Sequence, residues 1–352
     1  MTDVASARDG RVDPMVDGLA LSLVPSVGGV RYGRELALHG SATAALEAQS
    51  RSIREAARAQ AREQIARLVA LGGQLLLRGA PDYPPALLDL RDPPPALFAL
   101  GRVELLREQQ IAMVGTRAAT AYGMAVAREM ARAGGGAGIV VTSGMARGVD
   151  SAAHAGALAV GGGTIAVLGT GVDIAYPSRN LALYREIVER GLVISELAPG
   201  NRADAGSFPR RNRLIAALAS VTLVVEAGQR SGALITASRA LELGRSVAAV
   251  PGPIDSASHV GSNELIRDGA HVVTSAADLL QLAGADPRPS RAPELSGAED
   301  AVWQALAAGA ADMDTLLART GLPARECAVA VGSLELAGLV GTAFSGELRR
   351  LV

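Results

Sequence analysis

The chain has 352 residues, enough for two or three domains at about 100–200 residues each, and is 49% hydrophobic but only 3% aromatic, so its core draws on Ala, Val, Leu and Ile. A net charge of −1 excludes a uniformly basic nucleic-acid binder, and since all 34 basic residues are arginines there is no Walker A, Schiff-base or general-base lysine. The lone cysteine, Cys327, rules out an intrachain disulfide framework and a multi-cysteine metal cluster, and reads as a small buried apolar residue.

The opening "MTDVASARDGRVDPMVDGLA" lacks a basic start followed by an apolar core, so no secretory signal is expected and residues 1–17 read as disordered. No apolar run reaches about 18 residues without a breaker, which predicts no membrane span and a cytoplasmic protein. Residues 18–75 follow a helical pattern and form a first small domain, with Val27-Gly28-Gly29 as the turn of a helix-hairpin-helix or SAM-like element. Such a turn is either a packing unit or a DNA contact. The proline-rich Ala80–Gly101 reads as an extended connector lying on the next domain.

Across 76–284 short β-branched runs alternate with amphipathic helical stretches: "IAMVGT", "GIVVTSG", "TIAVLGTG", "LVISEL", "VTLVVEA" and "SVAAVPG". Continuous apolar strands separated by helices predict a Rossmann-like, doubly wound α/β domain with a mostly parallel sheet covered on both faces. Residues 285–295 are a Pro/Ala/Arg linker, and 296–352 suggest a winged helix: three short helices and a hairpin-like pair. Its recognition-helix position, Pro323–Ala337, sets Arg325 against Glu326 and Glu335, a weak charge for a major groove, so protein contact competes with DNA contact there.

Ligands of open α/β sheets bind outside the carboxyl ends of the strands, and the unusual clusters fall at those ends. "VGTR" brings Gly115, Thr116 and Arg117; "SGMARG" brings Ser143, Gly144 and Arg147; "GTGVDIAYPSRN" brings Gly169, Gly171, Arg179 and Asn180. Gly169 and Gly171 read equally well as tight-turn formers. The segment "FPRRNR" puts Arg210, Arg211 and Arg213 in the first turn of a helix, where the dipole repels cations by roughly 0.3–1 kcal/mol each. A bound anion would resolve that conflict. With Arg230 in "EAGQRSGALITA", these arginines could converge on one sheet edge, where Ser231 as an N-cap beside Gly232 exposes backbone N–H groups. Glu226, ending a buried strand, is either an ion-pair partner for the arginines or a ligand acceptor. The four histidines, His39, His154, His259 and His271, form no metal-spaced pair, and no G-x-S-x-G elbow is present. His154 reads as structural. The anion is therefore bound rather than transformed, with no catalytic residue, metal or cofactor expected.

In this order, "VGTR", "SGMARGVDSAAHAGAL", "GTGVDIAYPSRN", "ISELAPG", "FPRRNRLIAALA", "VVEAGQRSGALITASRALELGRSVAAVPG" and "GSNELIRDGA" resemble the DprA/Smf family of bacterial DNA-processing proteins. The resemblance implies a non-enzymatic, homodimeric protein that binds single-stranded DNA with little sequence preference and helps load the RecA recombinase during natural transformation or recombination. It also places phosphate contacts at Arg117, Arg211 and Arg213, with Asn212 between the last two, and Ser231, Gly232 and Asn263 beside the same groove. Relatives often carry a lysine where this chain has Ser178, leaving Arg179 as a substitute one residue on. The aromatic platforms that single-strand binders use would have to come from Tyr122, Tyr176 and Phe208. Two other readings compete: a Rossmann-type nucleotide-processing enzyme of phosphoribohydrolase type, and a winged-helix transcription regulator.

Overall fold

The computed structural model describes residues 13–204, 206–285, 295, 297–336, 339–343 and 346–350. It divides into two compact units, Met1–Asp286 and Pro287–Val352.

The first unit opens with four helices, α1 (Pro14–Leu23), α2 (Gly29–His39), α3 (Ala42–Glu47) and α4 (Arg51–Ala70). The Asp13 carboxylate caps α1 by accepting from the Met15 and Val16 amides, and Pro14 sits in the first turn, where a missing N–H costs nothing. Helix α1 thus starts inside the stretch expected to be disordered, of which residues 1–12 lie outside the described ones. Nor do these helices stand apart from the sheet. Leu19, Leu21, Leu46 and Leu68 share one core with its residues Phe98, Leu100 and Val193.

Strands β1 (Gln74–Leu77) and β2 (Ala96–Gly101) come next, then the alternation β3 (Gln110–Val114), α5 (Ala121–Gly136), β4 (Val140–Ser143), α6 (Val149–Ala159), β5 (Thr164–Val167), α7 (Leu181–Arg190), β6 (Leu192–Ser195), α8 (Ser207–Leu218), β7 (Val221–Val224), α9 (Gly232–Glu242), β8 (Ser246–Ala249), α10 (Val260–Arg267), β9 (His271–Val272) and α11 (Ala276–Leu282). The sheet order is β1-β2-β6-β5-β4-β3-β7-β8-β9. From β6 to β9 every pairing is parallel. The end of the supposed proline-rich connector is instead β2, pairing antiparallel with both β1 and β6. The proline density misleads because Pro93, Pro94 and Pro95 all precede the strand and remove no ladder hydrogen bond from it.

Alternate strand residues face opposite sides. Ala112, Val114, Ile165 and Val167 pack against α8 and α9, while Ile111, Met113, Val141 and Leu223 pack against α5, α6 and α11. The strand order reverses between β3 and β7, so the loops leaving these two strands open a crevice at the carboxyl edge, where such sheets place ligands.

The second unit contains α12 (Ala298–Leu306), α13 (Met313–Thr320), α14 (Ala324–Leu336) and the antiparallel pair β10 (Val340–Thr342) and β11 (Leu348–Arg350). Cys327 is buried in its core with Val302, Trp303, Leu316 and Leu334. The Arg350 guanidinium lies 4.2 Å from the Trp303 ring centroid. The expected linker falls, but for Ala285 and Leu295, outside the described residues. Among the described residues, no helix is long and apolar enough to cross a membrane.

Candidate nucleic-acid interface

Successive residues of an α-helix are about 100° apart, so the three arginines of "FPRRNR" cannot share a face. At the start of α8, Arg210 is exposed and borders the same surface cleft as Arg213, whereas Arg211 turns to the opposite side. Arg213 is buried between acids, its Nη2 2.5 Å from Glu196 and its Nε 3.6 Å from Asp92. Burial pushes the Glu196 carboxyl up despite the attraction of Arg213 and Arg210. Arg211 runs under the sheet edge, 6% exposed, and donates to the Gly144 carbonyl at 2.8 Å and to the Val167 carbonyl. Its Nε donates to Asn212 Oδ1 at 3.2 Å. Burial lowers its pKa to about 10, opposed by the charge of Asp150 and aided by Arg117. Two of the three arginines that the helix dipole disfavours are therefore stabilised by the protein's own acids and carbonyls, and need no bound anion for that purpose.

Glu226 plays neither expected part. Its carboxylate is fully buried at the N-terminus of α5, accepting from the Thr120 amide at 3.1 Å and the Thr120 hydroxyl at 2.7 Å. The anion position of the first strand-to-helix turn, which a dinucleotide pyrophosphate would use, is filled by the protein itself. Gly123 lies so close to this carboxylate that a Cβ there would overlap it.

Other candidates hold the frame. Ser143 donates to the Met113 carbonyl at 2.6 Å, and Asn180 donates to the Met145 carbonyl at 3.0 Å and to Ser151 Oγ at 2.8 Å. Asn263 grips the Gly252 backbone with both ends of its amide, at 3.1 and 3.0 Å. Gly169 gives room to the Phe208 ring, which a Cβ would meet at 2.8 Å. Gly171 donates its amide to the Asn201 carbonyl at 2.7 Å, and Thr116 donates to the Glu226 carbonyl at 2.7 Å. Gly115 lets Val149 approach the end of β3, where a Cβ would collide with it. His154 is structural: Thr164 Oγ1 donates to the Val141 carbonyl, so it must accept from His154 Nδ1–H at 2.7 Å.

The candidates left at the surface come together. Arg117, Arg147 and Arg179, all exposed, line a cleft of about 290 Å3 with Tyr176, Pro177, Phe208, Gly144, Ala146 and the edge of Arg211. No acidic side chain is among the described residues that line it. The Tyr176 and Phe208 rings lie against each other at a tilt of 35°, centroids 4.9 Å apart, and the Arg117 guanidinium lies 5.5 Å from the Phe208 centroid. Tyr122 sits elsewhere, against His259.

A second cavity of about 450 Å3 shares Arg117, Ala146, Phe208 and Arg211 and extends over the β3–β7 crevice to Asn212, Ser231, Gly232 and Thr236. Ser231 caps α9 as expected, accepting from the Ala233 amide at 3.3 Å, and the space beside Gly232 is open. Sequence reasoning missed Asp150, the cavity's one acid. Burial pushes this carboxyl up, and the Arg211 charge pulls it back. Nothing in "RGVDSAAH" announces it, since an aspartate in a first helical turn is ordinary. Arg230 is exposed and lines neither cavity.

A mostly parallel α/β layer with an arginine- and aromatic-lined cleft at its carboxyl edge defines a Rossmann-like protein, here joined to a winged-helix unit. The chain belongs to the DprA/Smf family: the model for DNA recombination-mediator protein A matches residues 74–284, and that for the DprA winged helix domain matches 285–343. It is 38% identical to protein Smf of Escherichia coli over 279 residues, covering 76% of this chain and 75% of that one. A DprA-named protein of Mycobacterium tuberculosis is 44% identical over 257 residues, a match spanning 70% of this chain but 66% of the mycobacterial one. The structure resembles DprA of Streptococcus pneumoniae, with a TM-score of 0.68 at 31% identity over 77% of this chain and 98% of that one. It also resembles the DNA processing protein A of Helicobacter pylori, described for its single-stranded DNA binding mode, with a TM-score of 0.56 at 30% identity over 61% and 97% of the two chains.

Proposed function

We propose that this protein is a non-enzymatic recombination mediator that binds single-stranded DNA along the carboxyl edge of its sheet and, as a homodimer, helps load RecA onto the strand. The cleft of Arg117, Arg147 and Arg179 carries the reading. It offers three guanidinium groups without ion-pair partners among the described residues, beside two aromatic rings in contact. Phosphates match the first feature and unpaired bases the second, and a duplex, whose bases are already stacked, cannot use the rings. These groups come from the loops after β3, β4 and β5 and from the first turn of α8.

The family likeness to a Helicobacter pylori protein described as binding single-stranded DNA supports the same reading. The nucleotide-hydrolase alternative needs an accessible acid at the site. Glu226 is committed to capping α5, and Asp150 is buried against Arg211.

The test is a salt titration of binding to fluorescent oligo-dT and to a duplex of equal length. Wild type should prefer the single strand, and Arg117→Ala should lower both affinity and the slope of log K against log salt, the latter by about 0.7 for each phosphate no longer neutralised. Equal binding to the duplex, or an unchanged slope in Arg117→Ala, would overturn the assignment. Stimulation of RecA ATPase on strand coated with single-strand binding protein tests the mediator role, and nucleotide turnover by the purified protein would contradict the non-enzymatic one.

A further inference from the structure

The loop 144–148 carries Arg147 and is held from four directions. Arg211 donates to the Gly144 carbonyl at 2.8 Å, and Asp150 accepts from the Ala146 amide at 3.2 Å. Ser151 Oγ donates to the Ala146 carbonyl at 2.5 Å, while Asn180 donates both to the Met145 carbonyl at 3.0 Å and to Ser151 Oγ at 2.8 Å. At the loop's end Gly148, with φ of 75°, packs against the Thr116 carbonyl with no room for a Cβ. Within it, fully buried Met145 has φ of 56°, a left-handed conformation that a residue with a side chain adopts only when its surroundings impose it.

Asn180 comes from the turn that carries Arg179, across the cleft from Arg147. It directly follows Arg179, which lines the cleft, yet Asn180 itself lines neither the basic cleft nor the cavity beside it. Its amide instead ties the 177–180 turn to the backbone of the strained loop, two residues before Arg147. We infer that Asn180, with Ser151, is a positioning latch that sets the spacing between Arg147 and Arg179 across the cleft, and is not a DNA ligand. The inference rests on the proposed role of the cleft in binding DNA. Without the amide the Met145 carbonyl would be unpaired and the left-handed turn unsupported, so the two arginines would lose a common geometry rather than their charge.

The experiment is the oligo-dT salt titration on the full chain for Asn180→Ala, Arg147→Ala/Arg179→Ala and the triple variant, each with a thermal melt. A latch predicts that Asn180→Ala loses about tenfold in affinity at low salt together with slope, as two weakened phosphate contacts would, and adds nothing when both arginines are already absent. A neutral amide touching DNA directly would lower affinity without moving the slope, and its effect would add to that of the arginine variants; either result overturns the latch. So does wild-type binding by Asn180→Ala. Ser151→Ala, a smaller change on a half-buried hydroxyl, should reduce the slope in the same sense, and it decides the matter if Asn180→Ala does not fold. Should Arg147→Ala/Arg179→Ala bind as wild type, the cleft reading itself falls and the latch with it. Loss in the arginine variants without loss in Asn180→Ala sinks the latch alone.

Discussion

Arg211 is the residue that a motif-based mutagenesis would choose first, and its burial predicts an outcome unlike that of a surface phosphate ligand. Replacing it by alanine removes the donor to the Gly144 and Val167 carbonyls and, among the described residues, the charge that pulls the buried Asp150 carboxyl back down. Arg211 makes no direct ion pair with Asp150, but leaving that buried carboxyl without a compensating charge and two strand-end carbonyls without their donor should approach the loss of about 3–5 kcal/mol that follows when one of two buried charges is deleted. That is at least about a fifth of the roughly 5–15 kcal/mol that holds an ordinary domain folded. Urea unfolding of Arg211→Ala should therefore show a much lower midpoint with an unchanged slope, and loss of DNA binding should follow the unfolded fraction. The deficit also depends on pH. Burial holds the Asp150 carboxyl above the usual aspartate range, and an acid with a raised folded pKa destabilises the fold as pH climbs past its unfolded value, about 3.9. Without Arg211 the rise is larger, so the penalty should grow as pH climbs above the unfolded value. Replacing both partners, Asp150→Asn with Arg211→Met, should recover most of the loss, because no uncompensated charge remains buried. A wild-type urea midpoint for Arg211→Ala, combined with lost DNA binding, would refute this reasoning and make Arg211 a free phosphate ligand.

Two further expectations come from the same geometry. Tyr176, 46% exposed, should contribute by stacking, so Tyr176→Ala loses about 1–3 kcal/mol of binding per stacked base, with the salt slope and melting temperature unmoved; a fall in slope would mean that the ring instead orders an arginine. His154 has its pKa lowered to about 3 by burial and by the Arg211 charge, because protonating the unpartnered Nε2 would create a buried cation with no acceptor. The unfolded chain takes up that proton first, so stability should fall by about 1.4 kcal/mol per pH unit from about pH 6.5 downward, a dependence missing from His154→Gln in acid unfolding.

The alternation of strands and helices, the capping role of Ser231 and the family resemblance were legible without coordinates, because strand and helix periodicities and local caps depend on residues close in the chain. The edge at which the arginines would gather was legible too, since it derives from the topology of a parallel sheet. Which of them reach solvent was not. The 100° step of α8 sends Arg210 and Arg213 one way and Arg211 the other, and burial against Asp150, Glu196 and the strand-end carbonyls then makes two of the three structural. Glu226 shows the same limit: its partner, Thr120, is 106 residues away, and no spacing rule links a strand end to the N-cap of a distant helix. Nor could local pattern show that "ALFALG" pairs antiparallel with β6, because partner choice and direction belong to whichever strand edge the fold leaves open. Sequence alone determined most of the elements, being local properties, and the edge of the sheet at which the arginines were expected, which follows from the parallel topology those elements imply. Only the tertiary structure decided which charges neutralise one another and which stay free for a ligand, because that depends on pairings between residues far apart in the chain.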